Sequence, residues 1–129
     1  MSREVIHTDK APAAVGAYSQ GIVAQGKFVF VSGQLGLDPE TKNLAEDVVE
    51  QTKRALLNMQ AILEEAGTDL AHVVKVTILL HSIDDFAAVN AVYQTFFPEN
   101  PPARAAFGGN DLPLGGLVEI ECIAMIPEG

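Results

Sequence analysis

The chain has 129 residues and is 48% hydrophobic, so one domain, residues 1–129, can bury a core without disulfides or metal ions. Its 17 acidic residues against 8 basic ones give a net charge of -9, which repels nucleic acid and anionic membrane surfaces. No apolar run approaches the ~18 residues that span a bilayer, and the first residues lack the apolar stretch of a signal peptide, so we expect a cytoplasmic protein.

The first quarter of the chain predicts three short strands. Residues 4–8 are β-prone, and residues 9–16 form a loop that contains alanine and proline. Residues 21–24 and 28–31 are β-prone runs on either side of Gln25-Gly26-Lys27, whose composition is that of a short turn. We therefore predict a hairpin between the second and third strands.

The first helix is predicted over residues 47–66, where apolar residues recur at steps of three and four. Asn43 and Glu46 have the spacing of a capping box, although a cap a few residues later fits equally well. The adjacent cations Lys53 and Arg54 are interpreted as part of the solvated side of this helix.

The second half of the chain continues with alternating elements. Residues 72–80 predict a strand that is partly buried on both faces. Ser82 and Asp85 open a second helix, and residues 103–107 and 117–126 predict the last two strands. Three strands, a helix, a strand, a helix and two strands indicate one α+β domain with its helices on one face of a sheet.

Arg104 is the most informative candidate for function, because it lies between Ala103 and Ala105 in an otherwise apolar strand. A guanidinium in such a place needs an anion, and its planar fork suits a carboxylate. The alternative is an internal ion pair with Glu119 or Glu121 of the last strand.

The last strand carries two carboxylates on one face. Glu119 and Glu121 are two residues apart, so both side chains point to the same side of the sheet. Like charges at this spacing cost stability unless a cation, solvent or a subunit boundary intervenes, so one of them is a candidate for function. The alternative is a solvated strand face.

Other reactive side chains indicate structure rather than chemistry. Cys122 lies on the aliphatic face of the last strand, so we expect it to be buried as a small hydrophobe. As the only cysteine it cannot form an internal disulfide, in keeping with a reducing compartment. His7, His72 and His81 lack the spacing and partners of metal ligands, so no metal site is predicted.

Several segments together resemble a known family. They are Ala17-Tyr18-Ser19-Gln20-Gly21 within residues 11–21, Ser32-Gly33-Gln34, Asp85-Phe86-Ala87-Ala88-Val89-Asn90, Pro102-Ala103-Arg104 and Val118-Glu119-Ile120-Glu121. In this order and spacing they resemble the RidA (YjgF) family of reactive-intermediate imine and enamine deaminases. The resemblance runs from about residue 5 to residue 126.

This resemblance implies a chorismate-mutase-like α+β fold, with a mixed six-stranded sheet and two helices on one face. It implies a homotrimer with its sites between subunits. It also implies a 2-iminobutanoate/2-iminopropanoate deaminase-like hydrolase that acts on C–N bonds without metal or cofactor. The substrates would be 2-imino or enamino acids made by pyridoxal-phosphate-dependent dehydratases, and the products 2-oxo acids and ammonia.

The resemblance also assigns site residues by position. Arg104 looks like the family's carboxylate-binding arginine and Glu119 like its water-activating glutamate. The other expected pocket residues are Tyr18, Ser32, Gly33, Asn90 and Ala106. Many relatives carry Ser-Cys after Pro-Ala-Arg, whereas this chain has Ala105-Ala106 followed by Phe107. The more apolar sequence favours aliphatic or aromatic imino acids over small polar ones.

Two other functions are alternatives at this point. A non-catalytic regulator that binds small carboxylates or other metabolites would use the same arginine, and the presence of Glu119 weighs weakly against it. A ribonuclease or translation inhibitor, a role attributed to members of this family, is disfavoured by the net charge of -9 and the lack of a basic patch. A structural or chaperone-like role also stays open.

Overall fold

A computed structural model describes residues 3–128 of the chain. Six strands lie in this range, and the predicted order of strands and helices is confirmed. The strands are β1 (Glu4–Ile6), β2 (Gly21–Val23), β3 (Lys27–Leu35), β4 (Val73–Leu80), β5 (Ala103–Phe107) and β6 (Val118–Ile126). The α-helices are α1 (Val48–Glu65) and α2 (Phe86–Phe96).

The main sheet has four strands in the order β3-β6-β4-β5. Strand β6 is antiparallel to both of its neighbours, and β5 runs parallel to β4. The predicted α+β class, with two helices on a mixed sheet, is confirmed. However, the six strands are divided, because β1 and β2 form a separate two-stranded sheet.

The predicted hairpin between β2 and β3 is wrong. Strand β2 pairs with β1, with Glu4 opposite Val23 and Ile6 opposite Gly21. The segment between β2 and β3 lacks the Asn-Gly or Asp-Gly pair that enforces a two-residue turn, so its composition does not fix which neighbour β2 joins. Strand β2 instead forms its backbone hydrogen bonds with β1, which lies earlier in the chain.

Helix α1 begins one residue later than predicted, and its cap is not the expected one. Asp47 has extended backbone angles, and its Oδ1 accepts a hydrogen bond from the Glu50 backbone N–H at 2.9 Å. The capping box of Asn43 and Glu46 is therefore wrong, and the alternative of a later cap is confirmed. Asp47 satisfies one of the helix's free N–H groups and also places negative charge at the positive end of the helix dipole.

The two faces of the main sheet differ in what covers them. The helix face packs against α1 and α2 and is buried at Val76, Ile78, Leu80, Val118, Ile120 and Cys122. The open face carries the alternate side chains of the same strands, among them Phe30, Leu79, Phe107, Glu119, Glu121 and Ile123. Phe30 and Phe107 are 72% and 54% exposed, which is high for aromatic side chains. Within residues 3–128 no helix has the length and apolar composition needed to cross a membrane.

The cap of α1 gives a direct test of this part of the fold. Asp47→Ala should lower the free energy of unfolding by about 1 kcal/mol, because it leaves helix N–H groups without an acceptor. Glu46→Ala, which removes the same charge one residue away, is the matched control and should change it by less than about 0.5 kcal/mol. Urea denaturation at fixed protein concentration measures both, and a larger effect of Glu46→Ala would restore the capping box.

Candidate active site

Strand β5 places Arg104 at one edge of the main sheet. Its parallel pairing with β4 sets Arg104 opposite Val76 and Ala106 opposite Ile78, so both side chains are on the helix face. Before the strand, Pro101 and Pro102 restrict the chain to extended geometry. The half-buried guanidinium of Arg104 thereby comes to lie beside α2.

The Arg104 guanidinium is held by a neutral group. Its Nη1 donates a hydrogen bond to Asn90 Oδ1 at 2.7 Å. No carboxylate of residues 3–128 forms a salt bridge with it, so the alternative of an internal ion pair with Glu119 or Glu121 is wrong. Burial lowers the pKa of Arg104, which still leaves an arginine charged at neutral pH. The site therefore holds a partly desolvated cation without an internal anion.

Three aromatic rings surround this cation. The Arg104 Cζ atom lies 4.9 Å from the Tyr93 ring centroid, 5.5 Å from Phe86 and 5.6 Å from Tyr18. Ring faces attract a guanidinium and exclude water from around it, while the edge of the fork stays available for an anion. We call Tyr18, Phe86, Asn90, Tyr93 and Arg104 the arginine cluster.

Tyr18 reaches the cluster because the segment before β2 is attached to the start of β5. The Ser19 backbone N–H donates to Pro102 O at 3.1 Å, and the Ser19 hydroxyl donates to Pro101 O. Gly16 lies close to both partners, since a Cβ there would be 3.6 Å from the Tyr18 ring and 3.8 Å from Arg104 Nη2. The structure thus brings Tyr18 and Asn90, both expected on resemblance, to Arg104.

Sequence reasoning missed Phe86 and Tyr93 as members of the site. Both lie in α2, where aromatic residues ordinarily form core. Their spacing from Asn90, four residues before and three after, places all three on one helix face. Tyr93 is fully buried, and its hydroxyl has no hydrogen-bond partner among the described residues. Burial raises its pKa well above the ordinary value, so the ring stays neutral beneath the guanidinium.

Glu119 lies apart from the arginine cluster, on the open face of the main sheet. It is half-buried and pairs across the sheet with Leu79. A Cβ at Gly33 would lie 2.5 Å from Glu119 Oε2, so only glycine lets the carboxylate lie over the backbone of β3. Ser32, next to it, is exposed. We call Ser32, Gly33 and Glu119 the glutamate cluster.

The two clusters are on opposite faces of the main sheet. Leu79 is opposite Phe107 on one side and Glu119 on the other, so these three share the open face. Arg104 is opposite Val76 on the helix face, and strand β4 separates β5 from β6. Within one chain, Arg104 and Glu119 therefore cannot contact the same small substrate. Ala106 stays with the arginine cluster, whereas Phe107 does not.

Metal-binding side chains are not clustered in the part of the chain that the structure describes. No three of its His, Cys, Asp or Glu side chains come together as a group that could hold an ion. His72 Nδ1 lies 2.7 Å from Asp69 Oδ1, and His81 Nδ1 lies 3.1 Å from Asn110 O. The His72 contact is local in sequence, whereas the His81 contact joins residues 29 positions apart.

Comparison with known proteins shows the family of the chain. A family model described as Endoribonuclease L-PSP matches residues 8–126. A protein of Rattus norvegicus named 2-iminobutanoate/2-iminopropanoate deaminase is 49% identical over 124 residues, which is 95% of this chain and 90% of the relative. The chain belongs to the RidA (YjgF) family.

Solved structures of RidA proteins show the same fold. RidA from the Antarctic bacterium Psychrobacter matches with a TM-score of 0.76 at 49% identity, over 95% of this chain and 99% of that one. A Rid family protein of unknown function from Yersinia pestis matches with a TM-score of 0.88 at 28% identity, over 98% and 100% of the two chains. The predicted RidA family and fold are confirmed.

The cysteine of this RidA family member should be chemically inert in the folded protein. Cys122 is buried on the helix face, and burial raises its pKa to about 12. At pH 8 roughly 10⁻⁴ of the thiol is then ionised, and reagents cannot reach it. Ellman's reagent should react with Cys122 rapidly only after unfolding in guanidinium chloride. Rapid reaction in the native protein would contradict this placement.

Proposed function

We propose that this RidA family member hydrolyses 2-imino acids to 2-oxo acids and ammonia, using Arg104 to hold the substrate carboxylate. The observation that carries the proposal is the Arg104 guanidinium, which is held by Asn90 and aromatic rings and has no carboxylate partner among the described residues. A cation kept in this state is complementary to an anionic ligand. The curated relative from rat is named for the same chemistry.

Binding the carboxylate at Arg104 would fix the position of the imine carbon next to it. Charge-assisted hydrogen bonds from a guanidinium are worth roughly 1.5–3 kcal/mol. Around Arg104 the rings of Tyr18, Phe86 and Tyr93 displace water, which strengthens the electrostatic attraction. Asn90 prevents rotation of the fork, so the substrate is oriented as well as bound.

We propose that the complete site lies between subunits of a homotrimer. The arginine and glutamate clusters are on opposite faces of one chain's sheet, so Glu119 must come from a second copy to reach a substrate on Arg104. Contact between two different patches is heterologous, and such contacts form a closed ring when the rotation between copies closes, as it would after three copies here. The exposed aromatic side chains of Phe30 and Phe107 on the open face supply an apolar surface for the neighbouring subunit to cover.

In the proposed reaction Glu119 acts on water. The carboxylate of Glu119 accepts a proton from water as the water oxygen attacks the C=N carbon, which gives a carbinolamine. That proton passes to the nitrogen, which becomes the –NH2 group of the carbinolamine. The carbinolamine hydroxyl then loses its proton, which the same carboxylate carries to the nitrogen, and the C–N bond breaks so that ammonia leaves as the C=O group forms. One water is consumed, and no electrons are transferred. A general base of this kind typically contributes ~10²–10⁴-fold, which suffices for a reactive imine.

The side-chain pocket of the substrate would be apolar. Ala106 is on the same face as Arg104 and packs against the core, so no thiol or hydroxyl faces the substrate there. Together with the ring of Tyr18, this favours aliphatic 2-imino acids such as 2-iminobutanoate. We place the reaction in the cytoplasm, with small molecules rather than membranes or nucleic acid as partners.

A ribonuclease activity is the second candidate, because the matching family model is described as an endoribonuclease. The net charge of -9 argues against it, since RNA binding depends on cations that neutralise phosphates. Only 8 lysines and arginines are present, and Arg104 is surrounded by aromatic rings rather than by other cations.

A binder without turnover would keep Arg104 and have no need of the close approach of Glu119 to Gly33.

Changing Arg104 tests the carboxylate site. Arg104→Ala should abolish imine hydrolysis while the protein stays folded, because no internal ion pair is lost. Arg104→Lys should also lose most activity, since a point charge does not reproduce the fork. The assay couples a threonine dehydratase to semicarbazide trapping of the released imine, with circular dichroism and sedimentation as folding controls. An active Arg104→Ala protein would refute the proposal, and loss through unfolding alone would indicate a structural role.

Glu119 and Glu121 provide a matched pair, because they lie on one strand face two residues apart. Glu119→Gln keeps size and hydrogen bonding but removes the proton acceptor, so turnover should fall roughly 10²-fold or more. Binding of 2-oxobutyrate through Arg104 should persist. Glu121→Gln should leave turnover within about 3-fold of the original, as expected for an exposed position. Equal losses in the two variants would remove Glu119 from the mechanism.

A further inference from the structure

A cavity of about 410 Å³ lies between α1 and the loop that follows β3. Its lining includes Leu37, Asp38, Lys42, Arg54, Asn58 and Ile62. It adjoins β3, whereas the arginine cluster adjoins β5 at the other edge of the main sheet. The cavity shares no residue with the arginine or glutamate cluster, so the proposed imine chemistry does not account for it.

Arg54 is held in this cavity much as Arg104 is held in its cluster. The Arg54 Nε donates to Asn58 Oδ1 at 3.1 Å. The Asn58 amide is itself fixed, because Nδ2 donates to Leu37 O at 2.9 Å and to Leu35 O at 3.4 Å. This chain of hydrogen bonds sets the orientation of the guanidinium. Its Nη groups make no hydrogen bond within residues 3–128.

The sequence interpretation of Lys53 and Arg54 as one solvated pair is wrong for Arg54. Lys53 is exposed, and its Nζ lies 3.8 Å from Glu50 Oε1, as expected of a surface cation. Arg54 is half-buried and forms no salt bridge with a described carboxylate, although the chain has 17 acidic residues. The difference arises because Arg54 is one residue, about 100°, further round the helix and faces the loop after β3.

The loop supplies charges of both signs to the same cavity. Asp38 Oδ1 accepts hydrogen bonds from the N–H groups of Glu40 at 2.8 Å and Thr41 at 3.0 Å. These bonds and the nearby Arg54 lower the pKa of Asp38, so it is ionised at neutral pH. Lys42, in the left-handed region at φ 62°, donates its N–H to Asp38 O at 2.8 Å.

We propose that this cavity binds a free α-amino acid with an aliphatic side chain. The carboxylate would pair with Arg54 and Lys42, and the ammonium with Asp38. Asp38 and Arg54 line one cavity but are too far apart for a direct salt bridge. The ammonium and carboxylate groups of an α-amino acid are bonded to the same carbon, so one ligand can pair with both side chains. Leu37 and Ile62 provide an apolar wall, and Ile62 is 38% exposed.

The experiment uses L-leucine as the probe and isothermal titration calorimetry on the full-length Arg104→Ala protein, in which the imine site cannot contribute. Leucine should bind, and adding Arg54→Gln should weaken binding roughly tenfold or more, as expected for loss of a charge-assisted pair. Lys53→Gln, which removes the neighbouring charge outside the cavity, is the matched control and should change the affinity by less than about 2-fold. 4-Methylpentanoate, which lacks the ammonium, should bind more weakly than leucine.

Three results would overturn the proposal. They are no leucine binding up to its solubility, equal losses of affinity in the Arg54→Gln and Lys53→Gln proteins, and 4-methylpentanoate binding as tightly as leucine. Equally tight binding of 4-methylpentanoate and leucine would show that Asp38 does not bind an ammonium group. Failure of the proposed imine hydrolysis is measured separately, with dehydratase coupling on the protein that retains Arg104, so the two outcomes stay distinguishable.

Discussion

The half-buried guanidinium of Arg104, without an internal counter-charge, is the interaction on which the candidate site depends. Desolvating a cation costs free energy, and proteins ordinarily offset this cost with a carboxylate. Here Asn90 supplies one neutral oxygen, and three rings supply their faces. An anion would balance the charge of Arg104, which is the physical basis of the proposed substrate binding.

The pairing of the strands in the main sheet is the second constraint on the candidate site. Pairing within β4, β5 and β6 sends Arg104 and Glu119 to opposite faces, so catalysis that uses both requires more than one chain. An assembly that joins the open face of one copy to the arginine cluster of another also covers Phe30 and Phe107. Burial of apolar surface and completion of the site would then be achieved by the same contact.

Local signals in the sequence predicted much of the fold. Residues 103–107 are a strand as predicted, because two prolines and a turn-rich segment bound the run. The helix positions followed from apolar periodicity. The partner of β2 was not predictable, since strand pairing is a long-range choice that local composition does not encode.

The sequence predicted part of the candidate site's membership but not its arrangement. Resemblance named Arg104, Asn90, Tyr18, Gly33 and Glu119, and the structure gathers them into two clusters. Which face each side chain takes depends on strand register, and a shift of one residue reverses the face. The rings of Phe86 and Tyr93 were not predicted as site members because aromatic residues on a helix face ordinarily form core.

A site shared between subunits can be tested by mixing two inactive proteins. Arg104→Ala and Glu119→Gln subunits are co-refolded in equal amounts, and mixed trimers are verified by native mass spectrometry. A site that takes its arginine and glutamate from different chains is intact in about a quarter of positions, so about a quarter of the original activity should return. No recovery in verified mixed trimers would contradict the account and place each site within one chain.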